Sequence, residues 1–122
     1  MLVVDAANVV GSRPDGWWRD RPAAARRLHE QLVAGLPGEE VVLVLEGAAR
    51  TGQPTGQEGP ARTVHAAGSG DDAIVAVARE QIADGRQVVV VTADRGLRAR
   101  IEAAGAAVES PSWLLRRLTA TR

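Results

Sequence analysis

Residues 87–98 read QVVVVTADRGLR, and the fold follows from them. Gln87 to Thr92, with its run of four valines, is the clearest strand in the chain. Asp94 comes directly after it. From Arg95 to Ala104, Leu97 and Ile101 recur at helical spacing, and Gly105 ends the segment. A strand that passes at once into a helix is the unit of a parallel α/β sheet.

The same unit recurs outward in both directions. Leu2 to Asp5, Val41 to Glu46 (VVLVLE), the weaker Arg62 to Ala66 (RTVHA) and Ala106 to Glu109 read as strands. Pro22 to Ala34 reads as a helix with Ala25, Leu28 and Leu32 on one face, Asp20 as its cap and Pro22 in its first turn. Asp71 to Asp84 places Ile74, Val75, Ala78 and Ile82 on one stripe, with Ser69 before it and Gly85 after it. A last helix starts at Ser110 and Pro111 and carries Leu114, Leu115 and Leu118. The expectation is a single α/β domain over residues 1–122. It is a three-layer α/β/α sandwich around a five-stranded, mainly parallel sheet with right-handed crossovers. Two stretches, 11–21 (GSRPDGWWRDR) and 47–61 (GAARTGQPTGQEGPA), show no apolar period. Each follows a strand, where the loops of an open α/β sheet line the ligand crevice.

Composition narrows the chemistry. The 122 residues are 45% apolar, and the 2% aromatic content is all tryptophan, at Trp17, Trp18 and Trp113. The core is therefore built from Val, Leu, Ile and Ala. Fifteen basic residues balance fifteen acidic ones, so no bulk field favours nucleic acid or membrane. Every cation is an arginine. Without lysine there is no Schiff base and no P-loop lysine; without cysteine there is no thiol nucleophile or Cys-ligated zinc. His29, expected on its helix surface, and His65, near the end of the third strand, lie far apart in sequence. The opening MLVVDAANVV lacks a signal peptide's basic n-region, and no apolar run has membrane-spanning length. The expected location is cytoplasmic, with no membrane partner.

Carboxylates are left as the agents of any reaction. Asp5 ends the first strand, Glu46 the second, and Asp94 follows the fourth, while Asp71 and Asp72 open the helix after the third. Strand C-termini of a parallel sheet share one edge, so these acids converge. Clustered carboxylates repel unless a cation neutralises them, and hard oxygen donors suit Mg²⁺ or Mn²⁺. Such a metal activates water and polarises a phosphoryl oxygen. Asn8, three residues past Asp5, is placed to orient a water or a scissile phosphate. The plainer reading of each aspartate is a cap or turn former. Glu46, closing an apolar strand, has no such role in the sequence.

The blocks VVDAANVVGSR (3–13), VLEG (44–47), GSGDDAIV (68–75) and VVTADRGLR (90–98), taken in this order, resemble the PIN-like nucleases, and within them the NYN branch. The resemblance spans nearly the whole chain. It implies a strand order of 3-2-1-4-5 and a metal-dependent ribonuclease. It further implies that Asp5 is the first metal ligand, Asn8 the asparagine of a D-x-x-N motif, and Glu46 the second acid. Asp71 is the better match for the third acid, with Asp72 its rival. Asp94 is the fourth, and Thr92 beside it contacts phosphate or water.

Arg13, Arg19 and Arg21 accompany Trp17 and Trp18 in one loop, a combination that pairs phosphates and stacks bases. The alternative is a loop with at least one tryptophan turned inward and with Asp15 and Asp20 pairing the arginines. Arg95, Arg98 and Arg100 form a second basic patch or a solvated helix face. Trp113 reads as structural. The expected function is a divalent-metal-dependent phosphodiester hydrolase, an endoribonuclease acting on single-stranded or structured RNA. A toxin held by a partner antitoxin and a homodimer are both compatible with it. The alternatives are a metal-dependent hydrolase of nucleotides or small phosphate esters, and a degenerate module that binds RNA or protein without turnover.

Overall fold

The apolar runs pair side by side in the computed structural model, which describes residues 1–36 and 38–120, Ala120 by its backbone alone. In chain order the elements are β1 (Leu2–Asp5), α1 (Ala6–Gly11), α2 (Arg21–Gly35), β2 (Val41–Leu45), β3 (Gly56–Glu58), β4 (Ala61–His65), α3 (Gly70–Ala83), β5 (Val89–Val91), α4 (Arg95–Ala104), β6 (Ala107–Glu109) and α5 (Pro111–Ala120). Two 3₁₀ turns, Trp17–Arg19 and Gly47–Gly52, lie within the stretches that lack an apolar period.

The sheet has six strands in the order β3-β4-β2-β1-β5-β6. Strand β1 sits in the middle, parallel to β2 (Leu2 opposite Val41) and to β5 (Leu2 opposite Val89). Strands β4 and β6 extend the parallel set on either side. The expected order thus appears as β4-β2-β1-β5-β6, and the α/β class is as expected.

Alternation along each strand sorts side chains into two cores. Val4, Leu43 and Leu45 pack under α2 and α5 with Leu28, Leu32 and Leu114. Val3, Val42, Val44 and Val90 pack under α3 and α4 with Ile74, Ala78, Leu97 and Ile101. Both faces of β1 and β2 are covered, which is why these strands tolerate no polar residue before their last positions.

Three expectations need correction. The sheet has a sixth strand: β3 runs antiparallel to β4 at the sheet edge and joins it through Gly59, whose φ is +54°. Its three residues are all exposed, so it carries no apolar signal. The 11–21 and 47–61 stretches are not featureless loops but hold the 3₁₀ turns and β3, and α1 fills the step between β1 and residue 11. His29 is not on the surface: it is 2% exposed, with Nδ1 3.9 Å from Glu58 Oε2. The β3–β4 hairpin explains this burial, because its turn rests on α2 and its Glu58 reaches the His29 ring. Among the described residues, no helix is long and apolar enough to cross a membrane.

Candidate active site

Because β1, β2 and β5 run parallel, their C-terminal ends share one edge, and the chain leaves each end through an acidic residue. Asp5, the last residue of β1, is 4% exposed. Its Oδ2 accepts from Asn8 Nδ2 at 2.6 Å and from Thr92 Oγ1 at 2.8 Å, and its Oδ1 accepts from the Asn8 backbone amide at 3.3 Å. Burial pushes the Asp5 carboxyl above the ordinary aspartate value, against the lowering effect of these donors, and the charge of Glu46 adds to the rise. A carboxylate held where its charge is disfavoured is poised to take a cation.

Thr92 links two strand ends. Its buried hydroxyl donates to Asp5 and accepts from the Asp94 amide at 3.1 Å. That hydroxyl, expected to meet phosphate or water, is instead committed within the protein and fixes Asp5 relative to Asp94. Asp94 caps α4 through Oδ1, which accepts from the Leu97 amide at 2.8 Å, leaving Oδ2 without a hydrogen bond among the described residues.

Glu46 follows β2, and its Oε2 accepts from the Gly70 amide at 3.0 Å. It therefore does have a capping role, across space rather than along the chain. Ser69, the residue placed to cap α3, makes no side-chain cap hydrogen bond. Gly70 permits the approach, since a Cβ there would lie 2.8 Å from Glu46 Cδ. Glu46 Oε1 keeps no hydrogen bond among the described residues.

The paired aspartates of α3 diverge. Asp71 is half-buried and turned toward the other acids: desolvation raises its carboxyl first, then the charges of Asp94, Asp5 and Glu46, with Arg100 opposing. It makes no hydrogen bond among the described residues. Asp72 is exposed and pairs with Arg100 of α4 at 2.9 Å. The structure thus sets Asp5, Glu46 and Asp94 within electrostatic reach of Asp71, with Asn8 and Thr92 supporting Asp5, and it pairs Asp72 with Arg100 instead.

This arrangement of strands and helices is also found in a solved structure. The chain shares its fold with Rae1 (YacP) from Bacillus subtilis. The two superpose with a TM-score of 0.82 at 20% sequence identity, over 99% of this chain and 74% of Rae1. A tryptophan-to-leucine mutant of Rae1 superposes with a TM-score of 0.68 over 98% of this chain and 74% of its own, again at 20% identity. No family model and no curated protein matches the sequence. At this identity the likeness to Rae1 speaks for the fold.

The donor set at the strand ends is all oxygen, the kind that suits Mg²⁺ or Mn²⁺. One nitrogen of His65 is engaged elsewhere, its Nε2 lying 2.7 Å from the Gln53 carbonyl. Among the described residues, no three of the acidic or imidazole groups stand close enough together to hold a metal ion as they are. Three of the four acids, Asp5, Glu46 and Asp94, spend one oxygen each on a helix amide, and the free oxygens of Glu46 and Asp94, together with Asp71, are what a cation would draw inward.

The flanking residues sort differently from their sequence expectation. Arg13 donates to Gln31 at 2.7 Å and lines a cleft between α2 and α5, away from the acids. Trp17 is half-buried against the core, whereas Trp18 is 55% exposed. Asp15 pairs with Arg27, and Asp20 caps α2, so neither acid neutralises Arg19 or Arg21. Instead Arg21 lies 5.5 Å from the Trp17 ring centroid and Arg19 lies 5.8 Å from that of Trp18. Arg98 pairs with Glu102 and Arg100 with Asp72, which makes them a solvated face, while Arg95 makes no ion pair among the described residues. Trp113 packs against the core beneath Arg117.

Proposed function

We propose that this chain is a divalent-metal-dependent phosphodiester hydrolase, an endoribonuclease that holds Mg²⁺ or Mn²⁺ on Asp5, Glu46, Asp71 and Asp94. The observation that carries the reading is the state of Asp71. Its carboxyl is half-buried, makes no hydrogen bond among the described residues, and is raised first by desolvation and then by the charges of Asp94, Asp5 and Glu46. Three acids within electrostatic reach of such a group form an arrangement that a cation relieves.

When bound, the metal supplies an activated water and charge neutralisation at the phosphoryl oxygens. The protein supplies the rest. Thr92 and Asn8 hold Asp5 in one rotamer, Thr92 ties Asp94 to it, and the Gly70 amide fixes Glu46. Asn8 has its side-chain carbonyl left to face a water or a phosphate. Trp18 with Arg19, and Arg95 at the start of α4, offer a stacking surface and uncommitted cations for an RNA strand crossing the cleft. The fold shared with Rae1 and the resemblance of the motif blocks to the NYN branch point the same way.

The test is cleavage of a generic single-stranded RNA with Mn²⁺ or Mg²⁺ and with chelator. Metal-dependent cleavage is expected, reduced at least about a hundredfold by Asp5→Asn or Asp71→Asn and by less than about twofold by Asp72→Asn. Unchanged activity in the Asp5 and Asp71 variants would sink the mechanism. Hydrolysis of nucleotides or small esters without RNA cleavage would move the substrate class.

A further inference from the structure

Beside Glu46 lies a cleft of about 400 Å³. It opens between α1, α2 and the 3₁₀ turn after β2. Its walls are Ala6, Ala7, Val10, Ala25 and Ala49, with the half-buried Trp17 ring at one side. Among the described residues, only Glu46 and Arg21 bring charge to it. The volume is within the range of about 300–1,000 Å³ usual for small-ligand sites, and the pattern of apolar walls with few polar groups is theirs too.

The walls are tied together by close contacts and hydrogen bonds. Gly52 packs so tightly on the first turn of α2 that a Cβ there would meet the Pro22 carbonyl oxygen at 2.1 Å. Arg26 donates to the Gly52 carbonyl at 3.2 Å, and Arg50 donates to the Gly47 carbonyl at 3.1 Å. His65 engages Gln53, tying the end of the same turn to β4. Trp17 in turn rests on α1, with its Cζ2 3.8 Å from where a Gly11 Cβ would lie. A preformed cleft loses little freedom when a rigid ligand enters.

We propose that this cleft is a nucleobase subsite, which receives one unpaired base of the RNA beside the phosphodiester held at the acids. The proposal rests on the reading of the acidic cleft as the place where that phosphodiester is held. Continuity carries it: Glu46 belongs to both the acidic cluster and the cleft wall, so a group filling the cleft lies within one nucleotide of the cluster. Chemistry selects the occupant. A planar heterocycle with apolar faces and polar edges matches alanine walls and an indole on its faces, and offers its edge groups to Glu46 and Arg21. An aliphatic ligand would leave both charges desolvated without a partner. A base inside the cleft is unstacked and unpaired, so the substrate is single-stranded at the point of cleavage.

The test couples the cleft to the base. Wild-type protein is expected to cleave an RNA with an abasic ribonucleotide beside the scissile bond about tenfold to a hundredfold more slowly than the intact RNA. In Ala49→Leu, which fills the cleft, intact and abasic RNA are expected to be cleaved at rates equal within about twofold. A wild type indifferent to the missing base, or a variant that slows both RNAs equally, overturns the proposal. Ala7→Leu, on the outer wall, serves if Ala49→Leu fails to fold as judged by circular dichroism. A second readout needs neither metal nor turnover. The neutral nucleoside 2-aminopurine riboside is expected to bind saturably by fluorescence quenching, about tenfold more weakly to the filled variant. Linear quenching identical in both proteins overturns the proposal as well. Saturable, variant-sensitive binding with no metal-dependent cleavage of any RNA would leave the subsite standing and remove the nuclease reading instead.

Discussion

At the scale of single residues, two carboxylates of the candidate site, Asp5 and Asp71, sit in environments that work against their charge. Asp5 offsets burial with donors from Asn8 and Thr92, whereas Asp71 has burial and like charge with no hydrogen bond to oppose them. Asp71 therefore carries the clearest consequence for stability. Its folded-state carboxyl is raised above the unfolded value, so between those two values the native state binds more protons than the unfolded state. Stability falls as pH rises through that window, and the full cost of the charge is present above it. In metal-free protein, Asp71→Asn should raise the melting temperature by a few degrees at neutral pH. The gap from wild type should close as pH falls toward the ordinary aspartate value of 3.8. Added Mn²⁺ should reverse the order, stabilising wild type by about 2.7 kcal/mol at a hundredfold excess over its dissociation constant and the variant by much less. Thermal melts with and without Mn²⁺ across pH decide this; a variant less stable than wild type in chelator at pH 7 contradicts the account. Why Asp71 and not Asp72 faces the other acids is only partly legible in the sequence. Both open the same helix about 100° apart on its circumference, and the packing of α3 on the sheet turns Asp71 inward, while Asp72 pairs with Arg100, 28 positions further along the chain.

At the scale of elements, two glycines make close approaches of opposite kinds. Gly70 brings the start of α3 against Glu46, and the atoms a Cβ would meet are the end of a flexible side chain. Gly52 sets the 3₁₀ turn against α2, and the atoms there are Pro22 backbone. Gly70→Ala gains up to about 1 kcal/mol of helix propensity and displaces Glu46, so its net stability change should stay within about 1 kcal/mol. Its metal-dependent cleavage should still fall at least about tenfold, because Glu46 loses the amide that orients it. Gly52→Ala has no such escape and should cost about 3 kcal/mol in urea unfolding. Equal destabilisation of the two variants would refute the contrast. The strands and long helices are readable because burial on two faces leaves an unmistakable apolar run, as in Val41–Leu45. Strand β3 is not, since its pairing is set by the neighbour β4 and its residues face solvent. The burial of His29 is hidden for the same reason: its cover comes from that hairpin. Glu46 as a cap is equally hidden, its partner lying 24 residues away.

At the scale of the whole molecule, convergence of acids from distant parts of the sequence is a consequence of topology. Once β1, β2 and β5 are parallel, their last residues must meet at one edge, which is why this part of the site is legible in the strand pattern alone. The electrostatics are not legible in the same way, because a balanced charge of fifteen against fifteen conceals which cations are free. Near the cleft, Arg98 and Arg100 are spent on acids of α4 and α3, while Arg19, Arg21 and Arg95 have no acidic partner among the described residues. On the proposed reading these three are the cations left to an RNA strand, and the acids repel that strand until a cation neutralises them. RNA binding should therefore be weak in chelator and should be strengthened by Ca²⁺, a hard cation that binds oxygen donors. The dependence on monovalent salt should be shallow. With about three phosphates neutralised by protein cations, the slope of log K against log salt for a single strand should be about −2. Replacing Arg19 and Arg95 by Gln should bring it to about −1 without changing the response to Asp72→Asn. A slope steeper than about −5 would mean that a broad basic surface, not these few arginines beside a metal-filled cleft, holds the strand.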